Sequence, residues 1–279
     1  LYKGTEQKAD FSKGFILHLL RKRFLFDKYI IKRYHENKDD DGVWSLEETK
    51  QNNGKPERVL TILPNNKNIM YLQSAMRVSY TVPKNMNWIT EILVWLGKNE
   101  NLSNMSTYEV FVENIIKSAT SNFFKLDNYN KLGVETPHIV LNYLDYLLWK
   151  SDRPNDFVFE YRNSVEHWYP QTPSENTFPK WDDIDRFGNL CLIQRNINSR
   201  FSNKTPESKK NDHAPMIAKG SLKLRKMNNA TTPTGTISAH ENWVNLACLK
   251  HENEMLNKLR EACGIELVPF EQEAPMATI

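Results

Sequence analysis

The sequence predicts a mainly α-helical chain in two parts: a helical domain over residues 1–152, then a smaller α+β domain over residues 153–279 that ends in an additional helix. Three observations predict it. Apolar residues of the first half recur every three to four positions, after Phe157 the recurrence shortens to two, and 279 residues suffice for two ordinary domains with a core each.

Phe15, Ile16, Leu19, Leu20, Phe24 and Tyr29 have the spacing of a helix with one buried stripe, as do Trp88, Ile89, Ile92, Leu93 and Leu96. After the first of these, Glu36 to Glu57 is polar and acidic, carries the loop signal Asp39-Asp40-Asp41-Gly42, and reads as a solvated connection. Asn66 to Tyr80 and Ser106 to Thr120 read as further helices, the second with Ser106 or Thr107 as N-cap. Thr136-Pro137 opens a helix with Ile139, Val140, Tyr143, Leu144, Leu147 and Leu148 on most of its faces, which places it centrally in the first domain. Ser151 to Asn155, containing Arg153-Pro154, is the expected boundary.

In the second part, Phe157 to His167 alternates like a strand, Gln171 to Asp185 is a polar connection, and Phe187 to Ile193 is a second short strand. Asn196 to Asn203 reads as a turn or helix entry, and Pro206 to Lys219 as a helix ending at Gly220. Trp243, Leu246, Ala247, Leu249, Leu256 and Leu259 mark an amphipathic helix from Glu241 to Cys263, and Val268 onward has no pattern.

A hydrophobic content of 39% with 13 Phe, 11 Tyr and 7 Trp excludes a disordered or fibrous chain. No apolar run reaches the roughly 18 to 20 residues of a membrane span; Phe15 to Ile31 is broken by Arg21, Lys22, Arg23, Asp27 and Lys28. Three cysteines without a CxxC pair argue against a disulfide framework or zinc knuckle and fit a cytoplasmic location. A net charge of +3 is too small for bulk electrostatic binding of nucleic acid, yet Arg200 to Lys226 concentrates eight basic residues against two acids, and Lys13 to Arg33 seven against one. The sequence opens at Leu1 with neither Met nor leader, so an internal piece of a longer protein is expected.

The chemistry-bearing residues are Glu166-His167, Asn189 and Asn198, which converge if the two strands pair and a helix packs across them. A histidine at a strand end can take a proton from water at neutral pH and so act as general base. The Asn189 amide oxygen can accept from the imidazole and fix the ring. Glu166 and Asn198 supply hard oxygens that suit Mg²⁺ or Mn²⁺ better than zinc, and such an ion would neutralise charge on a scissile phosphate. Arg195, Arg200, Lys204, Lys209 and Lys210 are candidate contacts to a phosphate backbone, with a solvated face as the other reading.

Three segments carry a resemblance: Glu166-His167-Trp168-Tyr169-Pro170-Gln171, Gly188-Asn189-Leu190-Cys191-Leu192, and Asn198-Ser199-Arg200-Phe201-Ser202-Asn203 followed by Lys209-Lys210. In order and spacing they resemble the HNH, or His-Me finger, nuclease motif, and in particular the C-terminal nuclease half of the GmrSD family of modification-dependent restriction endonucleases. Arg23-Phe24-Leu25-Phe26-Asp27-Lys28 and Thr136-Pro137-His138-Ile139 resemble the region preceding that nuclease. The resemblance implies a ββα-metal fold for the second domain and hydrolysis of DNA, in defence against modified foreign DNA. Carried over, His167 is the base, Asn189 its orienting group, Glu166 and Asn198 the ligands of Mg²⁺ or Mn²⁺, and Lys209 a phosphate contact.

It also implies a nucleotide-binding half upstream, whose Asp-Gly-Gln-Gln-Arg type motif has no counterpart here. Because one HNH site cuts one strand, a homodimer is expected; no membrane partner is. The sequence departs from many HNH enzymes in having Glu166 where they have Asp and Asn198 where they have His. Two other functions stay open: a catalytically silent nucleic-acid-binding or assembly module, and an RNA-cleaving nuclease.

Overall fold

The structure, a computed structural model, describes residues 5–34, 42–60, 66–99, 104–174 and 181–270. Its elements begin with α1 (Thr5–Tyr29), the antiparallel pair β1 (Lys32–Tyr34) and β2 (Val43–Ser45), and a second antiparallel pair, β3 (Glu47–Asn52) and β4 (Lys55–Leu60). Three helices follow: α2 (Asn66–Ser79), α3 (Asn87–Lys98) and α4 (Met105–Phe123). The chain divides inside α4 into two compact units, Leu1–Ile115 and Ile116–Ile279.

The first unit is helical as expected, with two differences. The segment read as a solvated connection is largely hairpin: Asn53 and Gly54, at φ 51° and 75°, make the two-residue turn that joins β3 to β4. Asp39-Asp40-Asp41, the loop signal, lies outside the described residues. The expected stripe of α1 is not buried either, since Phe15, Ile16, Leu19, Leu20 and Phe24 are each at least half exposed. Burial on this helix begins at Leu25 and Tyr29, where Gln73 donates to the Tyr29 carbonyl and accepts from Ile31 N–H.

The second unit is built on α5 (His138–Asp152), which is buried on nearly every face. The hairpin of β5 (Ser164–His167) and β6 (Leu190–Ile193) is antiparallel, with His167 opposite Leu190. Then come α6 (Arg195–Phe201), α7 (Pro206–Asp212), α8 (Ala214–Ala218), α9 (Leu222–Ala230), α10 (Ala239–Asn242), one π-helical turn at Trp243–Ala247, and α11 (Cys248–Cys263). Trp168, Cys191, Phe201, Leu224, Trp243 and Cys248 interlock in its core.

Because α5 packs on β6, α9 and α11, it belongs to the second compact unit, and the boundary expected near Ser151 falls inside that unit. Phe157 and Phe159 are buried as their alternation implies, but strand pairing covers only Ser164–His167. The expected helix from Pro206 to Lys219 is broken at His213, ahead of Pro215, whose ring supplies no N–H. Helix α9, capped by the Ser221 side chain, has no counterpart among the sequence expectations.

Candidate active site

The hairpin sets His167 at the last position of β5 with only 7% of its surface exposed. Its Nε2 lies 2.8 Å from Asp185 Oδ1, whose side chain is about half exposed at 48%. Nδ1 has no partner among the described residues and is not sealed from solvent. With a carboxylate as the only partner of Nε2, that nitrogen carries the ring proton in the neutral form and Nδ1 keeps its lone pair.

Asn189 is fully buried in the 3₁₀ turn Phe187–Asn189 that leads into β6. Its side chain does not reach the imidazole, which corrects the expected orienting contact. Oδ1 accepts from Tyr169 N–H at 2.8 Å and from the Trp243 indole at 3.1 Å, while Nδ2 donates to the carbonyls of Tyr169 and Ile184. Asn189 therefore grips the main chain just past His167, and its own carbonyl accepts from Trp168 N–H at 2.8 Å. An amide offers both donor and acceptor, which is what a hold on the N–H and C=O of one residue, Tyr169, needs.

Glu166 and Lys209 form a buried ion pair, Oε1 to Nζ at 2.7 Å. Lys209 also donates to the carbonyls of His167 and Trp168 at 2.6 and 3.0 Å, so all its N–H donors are used inside the protein. Burial pulls the Lys209 ammonium below its ordinary value and pushes the Glu166 carboxyl above its own, and the pair's attraction opposes both shifts. Lys209 is 0% exposed, so the phosphate contact expected of it is geometrically closed: its ammonium is a fixed internal cation.

Lys223, unremarked in the sequence beyond its place in the basic segment, does the same for the other side of the hairpin. Its ammonium is buried against the carbonyls of Phe187, Gly188 and Leu190 at 2.8, 3.2 and 2.5 Å. Burial pushes it down to about 8, against the attraction of surrounding acidic groups. Its main-chain N–H donates to the buried Asp145 of α5 at 2.9 Å.

Among the described residues, no three His, Cys, Asp or Glu side chains group to hold a metal ion. Glu166 Oε2 and the half-buried amide of Asn198, on the α6 helix that packs on β5, have no hydrogen-bond partner among the described residues, and both offer the hard oxygen that suits a divalent cation such as Mg²⁺. Of the basic candidates, Arg195 and Arg200 are exposed on α6 with no partner among the described residues. Lys204 is paired with Asp212 at 2.7 Å, and Lys210 turns to the carbonyl of Thr231 at 3.1 Å.

Sequence reasoning missed Asp185, Lys223 and Trp243 as parts of this site. Asp185 sat among Asp182 and Asp183 in a polar run, with nothing local to single it out.

Residues 115–258 match the family described as GmrSD restriction endonucleases, C-terminal domain. Its start coincides with the division between the compact units, and its span includes Glu166, His167, Asn189 and Asn198. No curated protein and no solved structure matches the chain. Among the described residues no helix is long and apolar enough to cross a membrane.

Proposed function

The chain belongs to the GmrSD restriction endonucleases, whose C-terminal domain it carries, and from this premise we propose that its second unit is an HNH-type, metal-dependent endonuclease with His167 as general base. Membership gives the chain the nuclease role of a restriction enzyme and DNA as its substrate. The observation that supports the finer reading is the ββα order of β5, β6 and α6, with α6 packed on β5, together with a nearly buried His167 whose Nδ1 has no partner among the described residues.

In this reading Nδ1 of His167 takes a proton from water as the water oxygen bonds to phosphorus and the bond to the leaving oxygen breaks. Asn189 fixes the main chain after the base, and the two buried lysines fix the carbonyls on either strand. Glu166 Oε2 and Asn198 would hold Mg²⁺ or Mn²⁺. When bound, such an ion supplies charge neutralisation at the phosphate. Arg195 and Arg200 meet backbone phosphates, and an upstream nucleotide-binding half, a homodimer and defence against modified foreign DNA complete the proposal.

Purified protein is expected to nick plasmid DNA in Mg²⁺, and His167→Ala to abolish nicking with an unchanged circular dichroism spectrum. Equal cutting by that variant overturns the assignment of the base, and cutting in excess EDTA overturns the metal requirement. Cleavage of RNA but not DNA would move the finer reading to an RNA nuclease.

A further inference from the structure

We propose that Asp185 is the positioning residue of the base, holding Nε2–H of His167 so that Nδ1 faces outward, and that Gly133 is the cradle that keeps it there. The inference rests on His167 being the base, but its geometric part stands apart from activity. Two independent features of the structure carry it.

The first is how the segment around Asp185 is tied. Asp183 pairs with Lys131 at 2.6 Å and with Arg186 at 2.9 Å. The carbonyl of Ile184 accepts from Asn189, and Arg186 also pairs with Glu252 at 2.9 Å. The main-chain carbonyl of Asp185 itself accepts from Gly133 N–H at 3.1 Å. Every residue from 183 to 186 is thus anchored to a separate point of the unit, and the Asp185 carboxylate is left to meet His167. A carboxylate fixed this firmly loses little entropy in orienting a ring, the usual weakness of a half-exposed partner.

The second is the close approach of Gly133. A Cβ on that residue would stand 2.5 Å from Asp185 Oδ1 and 2.7 Å from its Cγ, and the backbone there has φ +55°, in the left-handed region. Oδ1 is the oxygen that meets His167. Only a residue without a side chain lets the carboxylate occupy this position, so the turn at Gly133–Glu135 and the base are linked through one oxygen.

In the reaction, Nδ1 takes the proton from water while Nε2–H stays donated to Asp185, so the same contact selects the tautomer and faces the charge that forms on the ring.

The test uses the full chain with ¹⁵N-labelled histidine rings, reading the neutral His167 tautomer from long-range ¹H–¹⁵N correlations, with assignment by His167→Gln. Wild type is expected to show the Nε2–H tautomer. Asp185→Ala and Gly133→Ala should each give a mixture, as should Asp185→Asn, whose amide can meet Nε2 with either its oxygen or its NH₂. In parallel, kcat for nicking is expected to fall roughly 10- to 100-fold in both Asp185→Ala and Gly133→Ala with KM little changed, and the double variant to fall no further than either single one. An Nδ1–H tautomer in wild type, or an unchanged tautomer in Asp185→Ala, overturns the proposal. Should Gly133→Ala fail to fold, Asp185→Ala and Asp185→Asn decide it alone. If His167→Ala still cuts DNA while the tautomer results hold, the assignment of the base fails and the Asp185–His167 geometry survives.

Discussion

Replacing Lys209 with methionine removes three hydrogen-bond donors while keeping most of the apolar stem. The loss falls on Glu166 Oε1 and the carbonyls of His167 and Trp168, all within 3.0 Å of Nζ. At pH 7, Glu166 then has two courses. Remaining ionised with its side chain only 8% exposed costs about 3 to 5 kcal/mol, the range for buried ion pairs broken on one side. Taking up a proton costs at most about 3.4 kcal/mol from the ordinary carboxyl value of 4.5, and less here because burial already raises it. The cheaper course sets the scale, so Lys209→Met should destabilise the second unit by about 3 kcal/mol, with the orphaned carbonyls adding on the order of 1 kcal/mol each where water cannot reach them.

Hydrogen exchange on the full chain reads this locally. Amides of β5 and β6 should exchange roughly 100- to 200-fold faster at pH 7, the equivalent of about 3 kcal/mol, with peptides from α2 and α3 as an unperturbed reference. The pH dependence has a definite sign. In the variant, the folded-state Glu166 carboxyl is raised above its unfolded value with no cation to oppose the shift. The deficit is therefore smallest below about pH 4.5 and grows as pH rises through the window above it. Glu166→Gln in the Lys209→Met background should recover part of the loss. A deficit under about 1 kcal/mol, or no recovery in the double variant, would refute the claim that the ammonium is a fixed internal cation.

Gly188→Ala should lower the melting temperature by several degrees, because its Cβ would stand 2.6 Å from the Cys248 carbonyl and 2.8 Å from Glu252 Cβ; a strain of about 1 to 3 kcal/mol follows, and an unchanged melt would contradict it. Lys223→Met should loosen the Phe187–Leu190 turn by about 2 to 4 kcal/mol, seen as faster exchange of amides 188–191, while the main-chain bond to Asp145 persists. For Asp183, burial works to raise the carboxyl but the hydrogen bonds from Lys131 and Arg186 outweigh it and hold it below the ordinary value. Its contribution is present above about pH 4 and is lost as pH falls through the folded-state value. Asp183→Asn should therefore cost up to about 1 kcal/mol in urea unfolding at neutral pH and nothing at pH 2; a cost that persists there would point to packing instead.

The helices of the second unit were legible where burial leaves a contrast along the chain. In α5, Ile139, Val140, Tyr143, Leu144, Leu147 and Leu148 announce a helix, but they do not announce what covers it, so the sequence carries its helicity and not its packing partners β6, α9 and α11. Helix α9 failed the other way: Lys223 is buried with Leu222, Leu224 and Met227, so the usual opposition of apolar and charged faces is absent. The hairpin of β3 and β4 was hidden by its charged composition, although Asn53-Gly54 is the local signal for its turn. Pairing of Phe157 to Asn163 could not be read at all, since a strand is a property of two segments and alternation is visible in one.

The site divides along the same line. Glu166, His167, Asn189 and Asn198 can be proposed from their spacing along the chain, whereas Asp185, Lys209 and Lys223 take their meaning from contacts reached across folded structure. Charge was the misleading cue: the basic segment Arg200 to Lys226 looked like one electrostatic face, yet Lys209 and Lys223 spend their charge on the protein's own carbonyls and Lys204 on Asp212. Exposed cations without a side-chain partner among the described residues remain at Arg195 and Arg200 on α6, directly after the hairpin, and at Lys219. This separates two behaviours that composition merges. Each of Arg195→Gln and Arg200→Gln should flatten the dependence of log K on log salt concentration for DNA binding by about 0.9, one phosphate contact each, while Lys204→Gln leaves the slope close to wild type. An equal loss of slope in Lys204→Gln would mean that the ion pair with Asp212 opens to the substrate, and that the basic segment acts as the single face its composition suggests.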